Sequence, residues 1–360
     1  KKRTAFIGAI LSLFPIGQVS LIQKSVVLPT AGLILSIPQK AIAESAEFYN
    51  KSGLQKLTEG DFYGAKSDFT KAIKFDRKSH LSYFGRGLVK NHFKDFKGAK
   101  SDFTKAIKIN PKFSDAYSNR GLSKAKLKDY KGAFSDFEKA IKINPKSYYA
   151  YFDRALTKID LKDFNGALND INQAIAINPN NTEPLYKRAY INFELKNDKG
   201  AISDYTEIIK INPNSAKAFH ARGVIKYVLK DYRGAKSDYK KAIKIDPKYD
   251  AVYSDFAQIK FDNKNYKGAI SDYTKAIKIN SNDSFQYYFG RGIVKKRFGD
   301  IQGACSDVNQ GFLVSPVYKL RGNKNNKTLN SILLFSLLAG LPQEFTDFYK
   351  QNCLEYFPLD

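Results

Sequence analysis

Apolar and small side chains recur along most of the chain with helical spacing and with a longer period of 34 residues. A Gly-Ala pair marks this period, and its glycines are Gly64, Gly98, Gly132, Gly166, Gly200, Gly234, Gly268 and Gly303. Before each pair, a large residue and a small residue four positions later share one face of a helix. After each pair, an aromatic or apolar residue and a small or apolar one three positions later do the same. The pattern therefore predicts two amphipathic helices in every period.

Polar residues mark the ends of these predicted helices. An Asp or Asn stands three residues before each Gly-Ala pair, where its side-chain oxygen can accept from an exposed amide of the second helix. Proline closes six of the periods, and it cannot continue the hydrogen-bond ladder of a helix. The sequence thus predicts an array of helix-turn-helix units.

This array resembles the tetratricopeptide repeat family, which shares the period and the large-small-small-aromatic-small-proline signature. The resemblance implies an all-α, right-handed α-solenoid of about eight units over residues 46–318. The predicted units are residues 46–79, 80–113, 114–147, 148–181, 182–215, 216–249, 250–284 and 285–318. It also implies that the first helices line a concave face, that the second helices form the convex face, and that the fold has no catalytic chemistry of its own.

On that resemblance, a partner would bind the concave face through side chains of the first helices. The candidate residues are Phe84, Tyr149, Phe152, Tyr186, Tyr190, Phe193, His220, Tyr227, Phe261 and Phe289. Aromatic residues with few charges predict an extended apolar or amphipathic segment as ligand. The alternative interpretation is that many of these rings only pack between adjacent first helices.

The charge is strongly basic, with 60 Lys+Arg against 35 Asp+Glu and a formal net charge of +25. That balance first suggests nucleic acid or an anionic surface. The lysines, however, are spread over every unit, and many are predicted near the C-terminal ends of second helices or three residues after an Asp. We therefore predict no nucleic-acid partner and only a contributing attraction to acidic proteins or anionic lipid. Arginines sixteen residues before an Asp, such as Arg154 before Asp170, predict ion pairs within a unit.

Three histidines at unrelated points of their units give no metal-ligand spacing and no catalytic pairing. We predict no enzyme, no catalytic residue, no metal and no cofactor. Cys305 and Cys353 would form a disulfide if the protein is exported to an oxidising compartment, and would stay free thiols otherwise.

The two ends of the chain lie outside the repeat pattern. Residues 1–43 combine a basic start, two apolar runs and a closing Ala41-Ile42-Ala43, which predicts an export signal or a membrane anchor. The predicted location is across or at a membrane, either the bacterial periplasm or the thylakoid lumen of a photosynthetic source. Residues 319–360, with an apolar run at 332–341, are predicted to form capping helices.

Together these features predict a non-catalytic scaffold or assembly factor of an exported bacterial type, which holds a protein segment in its concave aromatic groove. The alternative is a membrane-anchored structural component, associated through residues 1–40, whose basic surface faces anionic lipids or an acidic complex. The N-terminus of the mature protein distinguishes the two. Nothing in the sequence indicates the oligomeric state.

Overall fold

The computed structural model describes residues 45–281, 284–316 and 343–353. The predicted export segment 1–43 and the apolar run 332–341 lie outside these residues. Within the described ranges the chain forms seventeen α-helices and no β-strand, and the first sixteen helices form eight consecutive pairs. The predicted all-α solenoid of helix-turn-helix units is therefore confirmed.

The chain divides into two compact units, whose described parts are residues 45–196 and residues 197–353 with the gaps given above. The N-terminal unit contains α1 (Ala46–Glu59), α2 (Phe62–Phe75), α3 (His80–His92), α4 (Phe96–Ile109), α5 (Ser114–Lys126), α6 (Tyr130–Ile143), α7 (Tyr148–Asp160), α8 (Phe164–Ile177) and α9 (Thr182–Glu194). The C-terminal unit contains α10 (Asp198–Ile211), α11 (Ala216–Val228), α12 (Tyr232–Ile245), α13 (Asp250–Asp262), α14 (Tyr266–Ile279), α15 (Phe285–Phe298), α16 (Ile301–Leu313) and α17 (Gln343–Asn352).

The two helices of a pair approach closely because small residues face aromatic ones. In the α3–α4 pair, a Cβ atom added to Gly87 would lie only 2.6 Å from Cε1 of Phe103, which is itself fully buried. The alanines of the Gly-Ala pairs, such as Ala99, are also fully buried. The repeated small-aromatic pattern thus forms the core between paired helices.

A steric constraint at the start of each second helix explains the glycine of the Gly-Ala pair. The Asp95 carboxylate accepts a hydrogen bond of 2.9 Å from the amide of Gly98 and caps α4. A Cβ on Gly98 would lie 2.2 Å from the other carboxylate oxygen. The same cap recurs from α2 to α16, with an aspartate in six helices and an asparagine in α10 and α14. The glycine leaves room for the capping side chain that folds over it.

The turn before each cap has a left-handed residue. Gly60 and Gly299 occupy this position in the first and last pairs, with φ of 83° and 93°. In the six turns between them the residue is a lysine with φ between 59° and 65°, namely Lys94, Lys128, Lys162, Lys196, Lys230 and Lys264. A side chain at positive φ is strained relative to glycine, and the sequence pattern gave no indication of it.

The C-terminal helix packs against the last helix pair. The hydroxyl of the buried Tyr349 donates to the Asn309 side chain, and Arg297 pairs with Glu344 at 3.0 Å. Cys305 and Cys353 form a disulfide that joins α16 to the residue following α17. Helix α17 therefore covers the end of the array, as expected for a stacked fold whose last pair lacks a neighbour.

Candidate functional site

Most of the predicted groove residues are not accessible to a partner. Phe84, Phe152, Phe193, His220, Tyr227 and Phe289 are each at most 5% exposed. The Phe84 ring, for example, lies 5.7 Å from Phe103 and 4.8 Å from Phe113. The structure therefore does not present these six predicted groove residues to a partner, because their side chains are buried within the array.

Two of the six also belong to hydrogen-bonded links between first helices of the C-terminal unit. The His220 ring lies 3.0 Å from the Tyr249 hydroxyl and 2.6 Å from the Asp255 carboxylate. The Tyr227 hydroxyl donates to Asp262 at 2.6 Å. Burial with these partners gives the two side chains a structural role between α11 and α13.

Tyr149, Tyr186, Tyr190 and Phe261 are the predicted residues that remain half-buried. The three tyrosines lie on α7 and α9 of the N-terminal unit, whereas Phe261 lies on α13 of the other unit. Only α7 and α9 therefore bring several accessible aromatic candidates onto first helices of one unit.

The first turn of α7 is held by its neighbours. Tyr148 stacks on Phe152 with ring centroids 5.6 Å apart, and its hydroxyl accepts a hydrogen bond of 2.9 Å from Asn181 before α9. The Tyr149 ring meets Tyr148 edge-on at 5.0 Å. These contacts fix the position of Tyr149, which is left half-exposed on the first-helix surface.

Acidic side chains surround this tyrosine. We use the name first-helix patch for Asp115 of α5, Tyr149 and Asp153 of α7, and Glu183 and Lys187 of α9. Burial raises the pKa of the Tyr149 hydroxyl, and the charges of Asp153, Glu183 and Asp115 raise it further. Asp153 is buried and also accepts a hydrogen bond of 3.2 Å from Ser118.

The charged groups of the patch are partly desolvated. Burial raises the pKa of Glu183, although Lys187 acts in the opposite direction. Burial likewise lowers the pKa of Lys187 against the effect of Glu183. Three carboxylates and one amine give this surface a negative formal balance in a chain whose net charge is +25. The patch can therefore attract a cationic group and pack an apolar stem beside it.

Sequence reasoning missed this acidic character because the first helices also carry many cations. The structure shows that those cations are occupied within their pairs. Five arginines donate two hydrogen bonds each to an aspartate of the following helix, in the pairs Arg86–Asp102, Arg120–Asp136, Arg154–Asp170, Arg222–Asp238 and Arg291–Asp307. A lysine four residues after each of them binds the same aspartate, and the lysines are Lys90, Lys124, Lys158, Lys226 and Lys295.

The second helices also place lysines over aromatic rings of the first helices. Lys71, Lys105, Lys241 and Lys275 lie over the rings of Tyr49, Tyr83, Phe219 and Tyr253, at 5.1 to 5.7 Å. The aspartates are already bound by cations of the preceding helix. In these four pairs the aromatic residue of the first helix thus contacts a lysine of the second helix.

Two searches of the described residues bear on other kinds of site. No three His, Cys, Asp or Glu side chains among them come close enough to hold a metal ion. None of the described helices combines the length and the apolar character needed to cross a bilayer.

Comparisons with known proteins agree with the fold. Sequence models described as tetratricopeptide repeat match residues 81–113, 114–147, 148–181, 185–215, 216–249 and 251–283, together more than half of the chain. No curated protein matches the chain.

Solved structures match along much of the chain at low identity. A tetratricopeptide repeat protein from Parabacteroides merdae is 20% identical, covers 71% of this chain and 98% of its own, and has a TM-score of 0.51. PilW, described as a type IV pilus biogenesis factor, is 16% identical, with 57% and 94% coverage and a TM-score of 0.51. An IFIT1 monomeric mutant with Gppp-AAAA is 16% identical, with 81% and 71% coverage and a TM-score of 0.55. These likenesses support the fold.

Proposed function

Because the chain belongs to the tetratricopeptide repeat family, we propose that it is a non-catalytic scaffold that binds a segment of a partner protein on the first-helix patch. Proteins of this family are generally interaction scaffolds without catalysis. PilW, which shares the fold, is described as a type IV pilus biogenesis factor. We extend to this chain the interaction role alone.

One observation carries the choice of surface. The patch is where first helices of one unit combine half-exposed aromatic side chains with desolvated carboxylates. Burying Glu183 is unfavourable for its charged form, and its place in the first turn of α9 and the nearby Lys187 only partly offset that cost. A cationic group of a partner would offset that cost. A segment with an amphipathic character and a basic side chain fits this chemistry better than the acidic partner that the overall charge suggested.

We also propose that the protein works outside a reducing compartment. The support is the buried disulfide between Cys305 and Cys353, since disulfides persist in exported proteins and are rare in the cytosol. The basic and apolar composition of residues 1–43 supports export or membrane attachment. Sequencing the N-terminus of the mature protein decides between the two, since Glu44 as first residue indicates cleavage and retention of residues 1–40 indicates an anchor.

A pull-down from the source organism tests the assigned surface. The bait is the wild-type chain, a patch variant with Tyr149→Ala and Glu183→Gln, and a control with Glu138→Gln and Lys139→Ala, two exposed residues of second helix α6. We expect the partner to be lost from the patch variant and kept by the control. Equal retention by both variants would contradict the assignment of the first-helix patch.

A further inference from the structure

The exposed large apolar side chains of this protein are concentrated at one type of position. Ten such residues are at least 36% exposed among those the structure describes, and seven of them lie in the turns between paired helices or in the helix ends that flank those turns. The seven are Tyr63, Phe93, Leu161, Leu195, Leu229, Phe298 and Ile301. A single exposed leucine needs no explanation, but a repeated apolar row indicates an interaction surface.

The first two helix pairs of the N-terminal unit are in contact beside their turns. The Phe93 ring, after α3, lies 4.9 Å from Tyr63 and 6.3 Å from Phe62 at the start of α2. We use the name turn edge for the four apolar-lysine pairs Phe93-Lys94, Leu127-Lys128, Leu161-Lys162 and Leu195-Lys196. Since these pairs occupy the same point of successive stacked helix pairs, they repeat along one side of the unit.

The lysines of the turn edge are not needed for the turn itself. Each adopts the left-handed conformation that glycine adopts without strain, and Gly60 shows that the fold accepts glycine at this point. A favourable interaction with the C-terminal end of the first helix offsets part of that strain and leaves little net benefit to folding. Among the described residues, none of the four pairs with a carboxylate.

The residue after each turn lysine caps the next helix, and it is Asp95, Asp129, Asp163 or Asn197. In the turn that follows Lys94, the Asp95 carboxylate is folded back and accepts from the Gly98 amide at 2.9 Å. The side chain of Lys94 is longer than that of Asp95, and it is exposed to solvent. Each turn therefore presents an ammonium group beside an apolar side chain, which is exposed in three turns and half-buried at Leu127. The neighbouring cap is a carboxylate in three turns and the Asn197 amide in the fourth, and it is held against a helix N-terminus.

We propose that the turn edge docks on the surface of an anionic lipid membrane, with its apolar side chains in the interfacial layer and its lysines among the lipid phosphates. The presence of apolar side chains beside the lysines favours a lipid membrane over nucleic acid as the anionic partner. Nucleic acid would use the lysines and leave Leu161 and Leu195 in water, whereas a bilayer interface accommodates both. The turn edge shares no residue with the first-helix patch, so a docked protein keeps the patch for its partner.

Vesicle flotation with the full chain tests this assignment. The probes are phosphatidylcholine vesicles with and without phosphatidylglycerol, and the variant changes Lys94, Lys128, Lys162 and Lys196 to Gly. Each lysine near an anionic surface contributes about fivefold to partitioning, so we expect the variant to lose at least roughly tenfold in binding to the anionic vesicles. Its melting temperature should stay the same or rise, since glycine removes the strain at these turns.

A matched control removes the same charge elsewhere. Lys74, Lys108, Lys112 and Lys142 are exposed and lie at or beyond the far ends of second helices, away from the turn edge. Their change to Gln should lower binding by less than about threefold, through the general charge alone. A loss as large as that of the turn variant would overturn the proposal.

The apolar half of the surface is tested with Leu161→Ser and Leu195→Ser together. We expect binding to the anionic vesicles to fall several-fold and binding to double-stranded DNA to stay unchanged. If the leucine changes leave vesicle binding intact, or if the lysine variant loses DNA and vesicles equally, the turn edge is a general polyanion surface and the proposal is wrong.

Discussion

The ion network around Asp170 allows a sharp test of how paired helices are held together. Asp170 of α8 is 3% exposed and lies between two cations of α7. Arg154 donates to its two oxygens at 2.9 and 2.6 Å, and Lys158 donates at 2.8 Å. Changing Arg154 alone therefore leaves the carboxylate with one cation, whereas changing both leaves it buried and unpaired.

The expected magnitudes follow from these contacts. Arg154→Met removes two charge-assisted hydrogen bonds, and we expect a loss of about 2 to 4 kcal/mol in the free energy of unfolding. In the double variant Arg154→Met, Lys158→Met, the buried charge has neither partner. Adding Asp170→Asn should then stabilise the protein by about 1 to 3 kcal/mol, because it removes that charge. In the wild-type background the same change should destabilise it, since it removes the acceptor of both cations.

The assay is urea unfolding followed by far-ultraviolet circular dichroism, which suits a chain without tryptophan. Midpoints and slopes are compared together, because repeat arrays do not always unfold in one step. Lys131→Met, at an exposed position of α6, is the control and should change the free energy by less than about 0.5 kcal/mol. Asp170→Asn with the same sign in both backgrounds would refute the account of this network.

Three further predictions concern the turns, the patch and the C-terminal helix. Gly98→Ala should lower the free energy of unfolding by about 1 to 2 kcal/mol in a urea melt, because its Cβ would displace the Asp95 cap. A loss no larger than that of Lys131→Met would contradict a stabilising role for this cap. A lysine-containing peptide that binds the first-helix patch should bind more weakly as pH falls, because the raised pKa of Glu183 makes its carboxylate protonate at a higher pH than usual. Calorimetric titration should show a flatter pH profile of peptide affinity for Glu183→Gln than for the wild type. An unchanged profile would exclude Glu183 as the partner of the peptide's cation. Reduction of the disulfide between Cys305 and Cys353, which are 48 residues apart in the sequence, should lower the stability measured in a thermal melt by about 2 to 4 kcal/mol. The double serine variant should not respond to reductant. Equal melts of the wild type with and without reductant would show that the disulfide does not stabilise the protein.

The sequence predicted the helices well because their determinants are local and repeated. The small residue at Gly87, the aromatic at Phe103 and the cap at Asp95 each depend on neighbours a fixed distance along the chain. The interactions that form the helices of one repeat therefore recur in the other repeats. The Arg154–Asp170 pair was predictable for the same reason, although its second cation, Lys158, was not.

The candidate site was harder to predict because it depends on contacts between successive pairs. Phe152 and Tyr149 are both aromatic residues of α7, yet Phe152 is 4% exposed and Tyr149 is half-exposed. The difference arises from which side of α7 faces its neighbours. The burial of Glu183, and hence the raised pKa of its carboxyl, follows from the same packing and has no signature in the local sequence.

The most direct test of the central claim is site-specific photocrosslinking in the source organism. A benzophenone amino acid replaces Tyr149 in the first-helix patch or, as control, Lys139 on the exposed surface of α6. The account predicts one discrete protein adduct from position 149, which disappears when Glu183→Gln and Asp153→Asn are added, and no such adduct from position 139. An adduct of equal yield from position 139, or one from position 149 that survives both carboxylate changes, would contradict it.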